Sequence, residues 1–255
     1  MQQYFAKNEK LELKESDYHH IKNVMRMKKG DMIKIVYNKV IYDCTIKELT
    51  DKVYFDINGK KETKEDNILI SVAFSLIKEQ KIDYLLQKST EIGVYSFIPI
   101  KTKRTIIKID SKKEKKKVER WSEICKEASE QSFRNFIPLV DNIKNLGELV
   151  NEEYDLKLLC SLNKNTKNIK KVIQNSKKCD KILLVVGPEG GFTQDEEEFL
   201  TNNGFISVSL GKNVLRAETA PVCAISMINY EFMRWVVWKN YLQVYLILLI
   251  IFIII

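Results

Sequence analysis

The sequence predicts an α/β protein in which a small β-rich domain precedes a larger domain built on a parallel sheet. Three short runs rich in β-branched and aromatic residues, at 32–37, 40–46 and 53–57, are separated by turn signals and predict a small β-barrel. Downstream, apolar runs alternate with helical patterns. This alternation is typical of a mostly parallel sheet that binds ligands at the carboxyl ends of its strands.

Length and composition fit two domains. The chain has 255 residues, of which 45% are hydrophobic and 30% charged, so it is globular and each domain can hold its own core. A polar bridge at 59–67 marks the predicted boundary, which divides the chain into domains at 1–67 and 68–232. The net charge of +8 favours a polyanionic partner.

In the first domain, residues 17–29 predict a helix followed by an exposed basic loop. His19 and His20 have no third ligand nearby in the sequence, so surface or packing roles are favoured over metal binding. The five cysteines show no CxxC spacing, so we expect neither a zinc site nor a disulfide framework.

The second domain begins with a predicted strand at 68–76 and a helix at 78–93, whose apolar residues recur at helical spacing. The periodicity places Lys81, Lys88 and Glu91 on the other faces of this helix, and Glu91 is assigned to structure. The further elements predicted in order are a strand at 97–100, a helix around 118–128, an extended segment at 136–140, a strand at 156–161 and a helix at 168–175.

The stretch from 181 to 230 carries the strongest functional signal. A buried strand at 182–186 ends at the run GPEGG, residues 187–191, whose glycines allow positive φ and let the backbone lie against a ligand. Thr193 is a predicted N-cap for the next helix, with acidic residues at 195–198 in its first turns. An ordinary strand-to-helix turn would carry the same pattern, so GPEGG alone does not show that this loop binds a ligand.

A second polar loop follows the predicted strand at 206–210. It brings together Arg216, Glu218 and Thr219 before a long apolar helix that has Pro221 in its first turn. Burying this much polarity requires partners. Because neither GxGxxG nor GxxxxGK[ST] occurs in the chain, the two loops, which we expect at adjacent strand ends, predict a cofactor pocket of a different kind.

These residues carry a resemblance to a known family. The runs VGPEGGFTQDE and VSLGKNVLRAETA, with KIDYLLQKSTEIGV and RWSEICKEASEQSFRNFIP upstream, are similar to the RsmE family of ribosomal RNA uracil N3-methyltransferases, in the knotted SPOUT class. The four motifs occur in the expected order, and the match spans most of residues 1–232. The resemblance implies an N-terminal PUA-like RNA-binding β-barrel and a C-terminal SPOUT α/β domain with a deep trefoil knot.

The resemblance also implies the reaction. It is the methylation by S-adenosylmethionine of N3 of uridine 1498 in the 16S RNA of the assembled small subunit, catalysed by a homodimer without a metal. Arg216 is the expected stabiliser of the uracil anion, Glu218 the expected base and Glu189 the second candidate. A cap or an ion pair with Arg216 is an equal alternative for either carboxylate.

The family pattern further assigns binding residues. One wall of the cofactor pocket is implied at Gly187, Glu189, Gly190 and Gly191, and the other at Leu210, Gly211, Val214, Leu215 and Thr219. RNA contacts are implied at Arg26, Lys28 and Lys29, and Gln131 and Arg134 are implied to face the RNA or the active cleft. On sequence pattern alone Gln131 and Arg134 stay unassigned, since a Gln and an Arg at a helix end are often only caps. Between Lys101 and Arg120, ten basic residues stand against three acidic ones, which favours a phosphate contact over a solvated helix face.

Two other functions stay open at this point. One is another SPOUT methyltransferase that acts on transfer RNA or on a ribose 2′-hydroxyl, and the other is a non-catalytic RNA-binding protein.

The amino terminus lacks the apolar core of a signal peptide, so a reduced cytoplasm is expected. The apolar tail at 233–255 departs from the family; its uninterrupted run at 244–255 is shorter than the roughly 20 residues of a spanning helix, which favours an appended sequence over a membrane anchor.

Overall fold

The computed structural model of the protein describes residues 1–63, 68–105, 107, 109–163, 165–176 and 179–232. Residues 64–67 at the predicted domain boundary and the apolar tail predicted at 233–255 lie outside the described residues. Within the described ranges, no helix has both the length and the apolar character needed to cross a membrane.

The first domain is a four-stranded sheet with one short helix. Strand β1 (Gln2–Phe5) and helix α1 (Glu15–His19), which continues as a π-helical turn (His20–Val24), precede strands β2 (Met32–Tyr37), β3 (Val40–Leu49) and β4 (Val53–Glu62). β1 pairs in parallel with β2, and β2, β3 and β4 form an antiparallel meander. The three predicted strands are confirmed. β1 was missed because four residues are too few to show a period.

The predicted strand at 53–57 ends too early, because β4 runs on through the turn-type residues Asn58 and Gly59 to Glu62. The register between β3 and β4 shifts between Asp43 and Cys44, which leaves Asn58 as the extra residue of a β-bulge. The Asn58 side-chain amide donates to Thr45 Oγ1 at 2.7 Å. Residues typical of turns therefore kink one long strand here instead of ending it.

The second domain alternates strands and helices as predicted. The two short elements α4 and β9 escape periodicity analysis because five and two residues show no period. In order, the elements are β5 (Leu69–Ser75), α2 (Glu79–Glu91), β6 (Ser96–Ile100), α3 (Ser111–Gln131), β7 (Leu139–Val140), α4 (Leu146–Val150), β8 (Leu156–Cys160), β9 (Lys167–Asn168), α5 (Ile169–Asn175), β10 (Lys181–Val186), α6 (Gln194–Asn202), β11 (Ile206–Ser209) and α7 (219–232).

These strands form a seven-stranded parallel sheet in the order β7-β6-β5-β10-β8-β11-β9. The central strand β10 is apolar without alternation because both of its faces are covered. Ile182 and Leu184 belong to the core on one face, and Leu183 and Val185 to the core on the other.

The sheet order corrects one expectation. Strand β8 lies between β10 and β11, so the two glycine-bounded loops do not follow adjacent strands. The crossover through α6 places β11 on the far side of β8, which already occupies the edge of β10. Because every pairing is parallel, the loops after β5, β6, β10 and β11 still leave the sheet at one carboxyl edge.

The two domains meet at a buried ion cluster. Lys126 of α3 donates to Asp17 of α1 at 2.6 Å and lies 2.8 Å from Glu130, with only 5% of the Lys126 and Asp17 side chains exposed. The backbone amide of Phe5 in β1 also donates to Glu130, at 3.1 Å. Burial raises the pKa of Glu130 to about 7, although the Lys126 ammonium opposes this shift.

Glu130→Gln is expected to flatten the dependence of the melting temperature on pH between about 4.5 and 7. The pKa of Glu130 is raised on folding, so its favourable contribution to stability is full below the ordinary value of 4.5 and is lost as the pH rises through about 7. Glutamine keeps the acceptor for Phe5 but does not ionise. Thermal unfolding across this pH range measures the slope.

Glu123→Gln is the matched control, because Glu123 lies on the same helix with 41% of its side chain exposed. This variant should keep the wild-type slope. An identical slope in Glu130→Gln and the wild type would contradict the assignment of the titrating group.

Candidate active site

The loop after β10 turns sharply because Gly187 leaves room for the ring of Phe192. A Cβ built on Gly187 would lie 3.0 Å from this ring, a tighter contact than most side chains make, so the ring would have to shift. Phe192 is 6% exposed and belongs to the same core as Leu200 of α6. Gly191 has φ +67°, and a Cβ there would meet no atom within 4 Å, so the backbone of the loop faces open space.

A capping box fixes the end of this loop and confirms Thr193 as the N-cap of α6. The Thr193 amide donates to the Glu196 carboxylate at 2.9 Å, and the Glu196 amide donates to Thr193 Oγ1 at 3.4 Å. The Glu196 carboxylate also accepts from the Lys103 amide at 2.6 Å. The helix end is thereby joined to the loop that follows β6.

Arg104, in the loop after β6, holds the glycine loop from outside. Its guanidinium donates to the carbonyl of Gly190 at 2.6 Å and to that of Phe192 at 3.1 Å. The aliphatic part of its side chain covers Gly190, where a Cβ would lie 3.4 Å from Arg104 Cδ. Two carbonyls of the loop are therefore fixed by one planar side chain.

The second loop, residues 210–218, presents backbone and one exposed arginine. Gly211 has φ +149°, and a Cβ there would also meet no atom within 4 Å. Arg216 is exposed, and its carbonyl accepts from the amide of Thr219 at 2.9 Å, which begins α7. Glu218 differs from Arg216 in being only 9% exposed.

Lys81 of α2 joins the two loops. Its ammonium donates to Glu189 Oε1 at 2.8 Å and lies 3.7 Å from Glu218 Oε2. Glu218 Oε2 is buried and has no hydrogen-bond partner among the described residues. Glu189 belongs to the loop after β10 and Glu218 to the loop after β11, so the two polar loops converge although their strands are not neighbours.

Opposite charges set the protonation of this cluster. The hydrogen bond to Glu189 raises the pKa of Lys81, whereas burial and the charge of Arg216 act to lower it. Burial acts to raise the pKa of Glu189, but the hydrogen bond from Lys81, a backbone hydrogen bond and the charges of Lys81 and Lys78 together leave this pKa below its usual value. At neutral pH the cluster thus holds an ammonium and an ionised Glu189.

The remaining residues predicted for the cofactor pocket follow the same strand ends, and their roles stay predictions. Gly190 and Val214 are exposed, Val214 to 72%, while Leu210, Leu215 and Thr219 are half-buried. The edge therefore combines exposed backbone, apolar side chains and two carboxylates. Such a surface can hold a cofactor that has apolar and polar parts.

Comparisons with known proteins agree with this geometry. The family model described as RNA methyltransferase domain matches residues 64–229, and the one described as RNA methyltransferase PUA domain matches residues 13–57. The ribosomal RNA small subunit methyltransferase E of Bacillus subtilis (strain 168) is 36% identical over 249 residues, which cover 91% of this chain and 97% of that protein. The chain belongs to the ribosomal RNA small subunit methyltransferase E family.

Other proteins similar to this chain are also methyltransferases. The methyltransferase E of Mesomycoplasma hyopneumoniae (strain 232) is 33% identical over 208 residues, covering 80% of this chain and 86% of that protein. The solved methyltransferase E of Neisseria gonorrhoeae, bound to S-adenosylmethionine, superposes with a TM-score of 0.82 at 28% identity and covers 91% of this chain and 98% of that one. A methyltransferase of Legionella pneumophila, also solved with this cofactor, has a TM-score of 0.83 at 28% identity, covering 90% and 97%. The predicted fold, a PUA-like domain followed by a methyltransferase domain, is confirmed.

The residues predicted to contact RNA fall in two places. Arg26, Lys28 and Lys29 are exposed in the loop between α1 and β2, where Arg26 takes φ +52°. Gln131 is exposed at the end of α3, but the Arg134 guanidinium donates to the carbonyl of Thr90 at 2.6 Å. That contact lies at the end of α2 opposite to Lys81, so Arg134 is not brought to the two loops.

Sequence analysis missed two members of the site, Lys81 and Arg104. Helical periodicity placed Lys81 on a face away from its own core, which is correct, but it could not show that this face meets Glu189. Arg104 was counted only as part of a basic segment. The family motif KIDYLLQKSTEIGV begins at Lys81, and this was the available signal for that residue.

Gly187→Ala is expected to destabilise the fold by about 1 to 3 kcal/mol, because the added methyl group would press on the buried Phe192 ring. Unfolding in urea measures the change. Gly59→Ala is the matched control, since a Cβ at Gly59 would meet no atom within 4 Å, and its effect should stay below about 1 kcal/mol. Equal stability of Gly187→Ala and the wild type would contradict this expectation and show that the Phe192 ring moves aside at no cost.

Arg104→Ala is expected to speed amide hydrogen exchange in residues 187–192, because two carbonyl acceptors of the loop lose their donor. Exchange read by mass spectrometry should rise about tenfold there, which corresponds to about 1.4 kcal/mol. Arg120→Ala, which removes exposed pairs with Glu79 and Asp83, should leave this segment unchanged. A similar pattern in both variants would mean that Arg104 does not hold the loop.

Proposed function

We propose that this protein transfers a methyl group from S-adenosylmethionine to N3 of a uridine in small-subunit ribosomal RNA. The observation that carries the proposal is the convergence of two open, glycine-bounded loops on Lys81, with a buried carboxylate and an exposed arginine beside them. Membership of the methyltransferase E family and the cofactor bound in its solved relatives support it.

The residues present fit the cofactor. Gly191 and Gly211 have positive φ and open space where a Cβ would stand, so both loops expose main chain that can accept or donate hydrogen bonds. In this proposal the cofactor is held by the main chain of 187–191 and 210–215, with the apolar Leu210 and Leu215 beside it. Thr219 completes the wall at the start of α7.

When bound, S-adenosylmethionine supplies a methyl group that its sulfonium already activates. The chain's residues then hold the uracil in line and remove the N3 proton. Glu218 is the base, because its buried Oε2 has no hydrogen-bond partner among the described residues. Glu189 is the weaker candidate, because its Oε1 already accepts from Lys81 and its pKa is lowered.

Arg216 stabilises the anion that develops on the uracil ring as N3 loses its proton. Its guanidinium is exposed at the mouth of the cluster, close enough to Lys81 to lower the pKa of that ammonium. A fixed charge aimed at developing negative charge lowers the barrier, since no solvent reorganisation is needed. The exposed position leaves this side chain accessible to a bound base.

RNA binds, in this proposal, across both domains. Arg26, Lys28 and Lys29 are exposed on the PUA-like domain, and Gln131 is exposed on α3. An exposed row on the first turns of α3 adds positive charge that can neutralise phosphates; it consists of Lys112, Lys113, Lys115 and Lys116. The proposal also includes five finer expectations: uridine 1498 as the target, an assembled subunit as the substrate, a homodimer, a trefoil knot and a cytoplasmic location.

Glu218→Gln and Arg216→Ala are each expected to lower kcat for methyl transfer, by about 10² to 10⁴-fold for the base and about 10² to 10³-fold for the anion stabiliser. The measurement is incorporation of labelled methyl groups into small subunits from a deletion strain, with the modified atom mapped by mass spectrometry. Affinity for S-adenosylmethionine, measured by calorimetry, should change little in Arg216→Ala.

Glu198→Gln, an exposed carboxylate of α6, is the matched control and should keep full activity. Methylation of a ribose hydroxyl or of transfer RNA by the wild type would replace the proposed substrate. Folded protein that binds no S-adenosylmethionine would overturn the enzyme proposal and leave an RNA-binding protein.

A further inference from the structure

Lys81 stands where the loops after β10 and β11 meet, and its position calls for an explanation beyond helix formation. It is the third residue of α2, in the first turn, where the positive end of the helix dipole makes a cation unfavourable. Ile82, Leu85 and Leu86 bury the other face of the helix and fix its orientation. The unfavourable interaction of this ammonium with the helix dipole is therefore offset by the carboxylates of Glu189 and Glu218.

We infer that Lys81 is a positioning residue for methyl transfer: it anchors Glu189 by a hydrogen bond, and its charge holds the neighbouring carboxylate of Glu218, the base, in place between the two loops. The inference rests on the proposed function and assigns different tasks to the two carboxylates. The observation behind it is one ammonium shared unequally, at 2.8 Å from Glu189 Oε1 and at 3.7 Å from Glu218 Oε2.

The geometry separates the two carboxylates. Glu189 takes the direct hydrogen bond and has 43% of its side chain exposed, so its ionised form is stabilised by both water and Lys81. Glu218 has only 11% of its side chain exposed, and its Oε2 receives charge from Lys81 without a hydrogen bond. Lys81 therefore attracts the Glu218 carboxylate towards the loop after β10 and leaves its Oε2 available to a bound base.

The charged groups around Lys81 define what the variant changes. Glu189 and Glu218 face it from the two loops, Arg216 acts on it from the second loop, and Lys78 acts on Glu189 from the start of α2. Since the hydrogen bond to Glu189 raises the pKa of Lys81, this side chain stays an ammonium at neutral pH and does not itself accept the N3 proton. Its contribution is charge and position.

Lys81→Met tests the inference, because methionine keeps most of the side-chain volume and removes the charge. The measurement is kcat and KM for methylation of small subunits at pH 7. Without the ammonium, neither Glu189 nor Glu218 is held beside the acceptor, so kcat should fall about tenfold while KM stays within about twofold. Lys81→Arg should restore most of the wild-type kcat.

Lys88→Met is the matched control. Lys88 lies two turns along the same helix and pairs with Glu91 at 2.8 Å, away from the two loops. It should keep the wild-type kcat and KM, which separates loss of any lysine on α2 from loss of this one. Calorimetry with S-adenosylmethionine and the melting temperature of each variant report binding and folding independently of turnover.

The outcomes distinguish failure of the proposed methylation from failure of the role assigned to Lys81. If the wild type does not methylate the subunit, the proposed function fails before Lys81 is tested. If the wild type is active and Lys81→Met keeps its kcat, Lys81 does not position the base. An unchanged kcat with a higher KM and weaker cofactor binding would assign Lys81 a structural role in the loop and overturn the inference.

Discussion

The site depends on the parallel pairing of β10 with β5 on one side and β8 on the other. All six residues of β10 pair with β5, and five of them are buried. Because the strands are parallel, every loop that leaves their carboxyl ends reaches the same edge of the sheet. This common edge brings Glu189 and Glu218, from two different loops, to Lys81 at the start of α2. Arg104, from the loop after β6, reaches the carbonyls of the loop after β10 at the same edge.

Helix α3 couples that edge to the first domain. Its first turns carry exposed lysines, and its last turns hold the buried Lys126 and Glu130 that contact Asp17 and the amide of Phe5. A buried ion cluster is costly to break, because either partner would be left uncompensated. The cluster therefore fixes the orientation of the PUA-like domain relative to α3.

Much of the fold and part of the site could be predicted from the sequence. The GPEGG run and the Thr193 cap are local signals, since a glycine without room for a Cβ and an N-cap depend on a few neighbouring residues. Lys81 and Arg104 could not be placed in this way. Their partners lie 108 and 86 residues away, and periodicity reports only whether a side chain faces its own core. The position of β8 between β10 and β11 could not be predicted either, because local sequence patterns do not show the order of strands in a sheet.

The basic segment between Lys101 and Arg120 shows why charge counts alone overstate an RNA surface. Lys103 pairs with Asp195, Arg104 binds loop carbonyls, and Lys117 and Arg120 pair with carboxylates of α2. These cations are occupied in stabilising the fold around the cofactor loops. Under the proposed function, the exposed Lys112, Lys113, Lys115 and Lys116 remain for phosphates, so the salt dependence of RNA binding should report these and the basic loop of the first domain, not all ten cations. In that proposal one stretch of sequence serves two purposes, because its two ends stabilise the fold at the site and its middle faces the RNA.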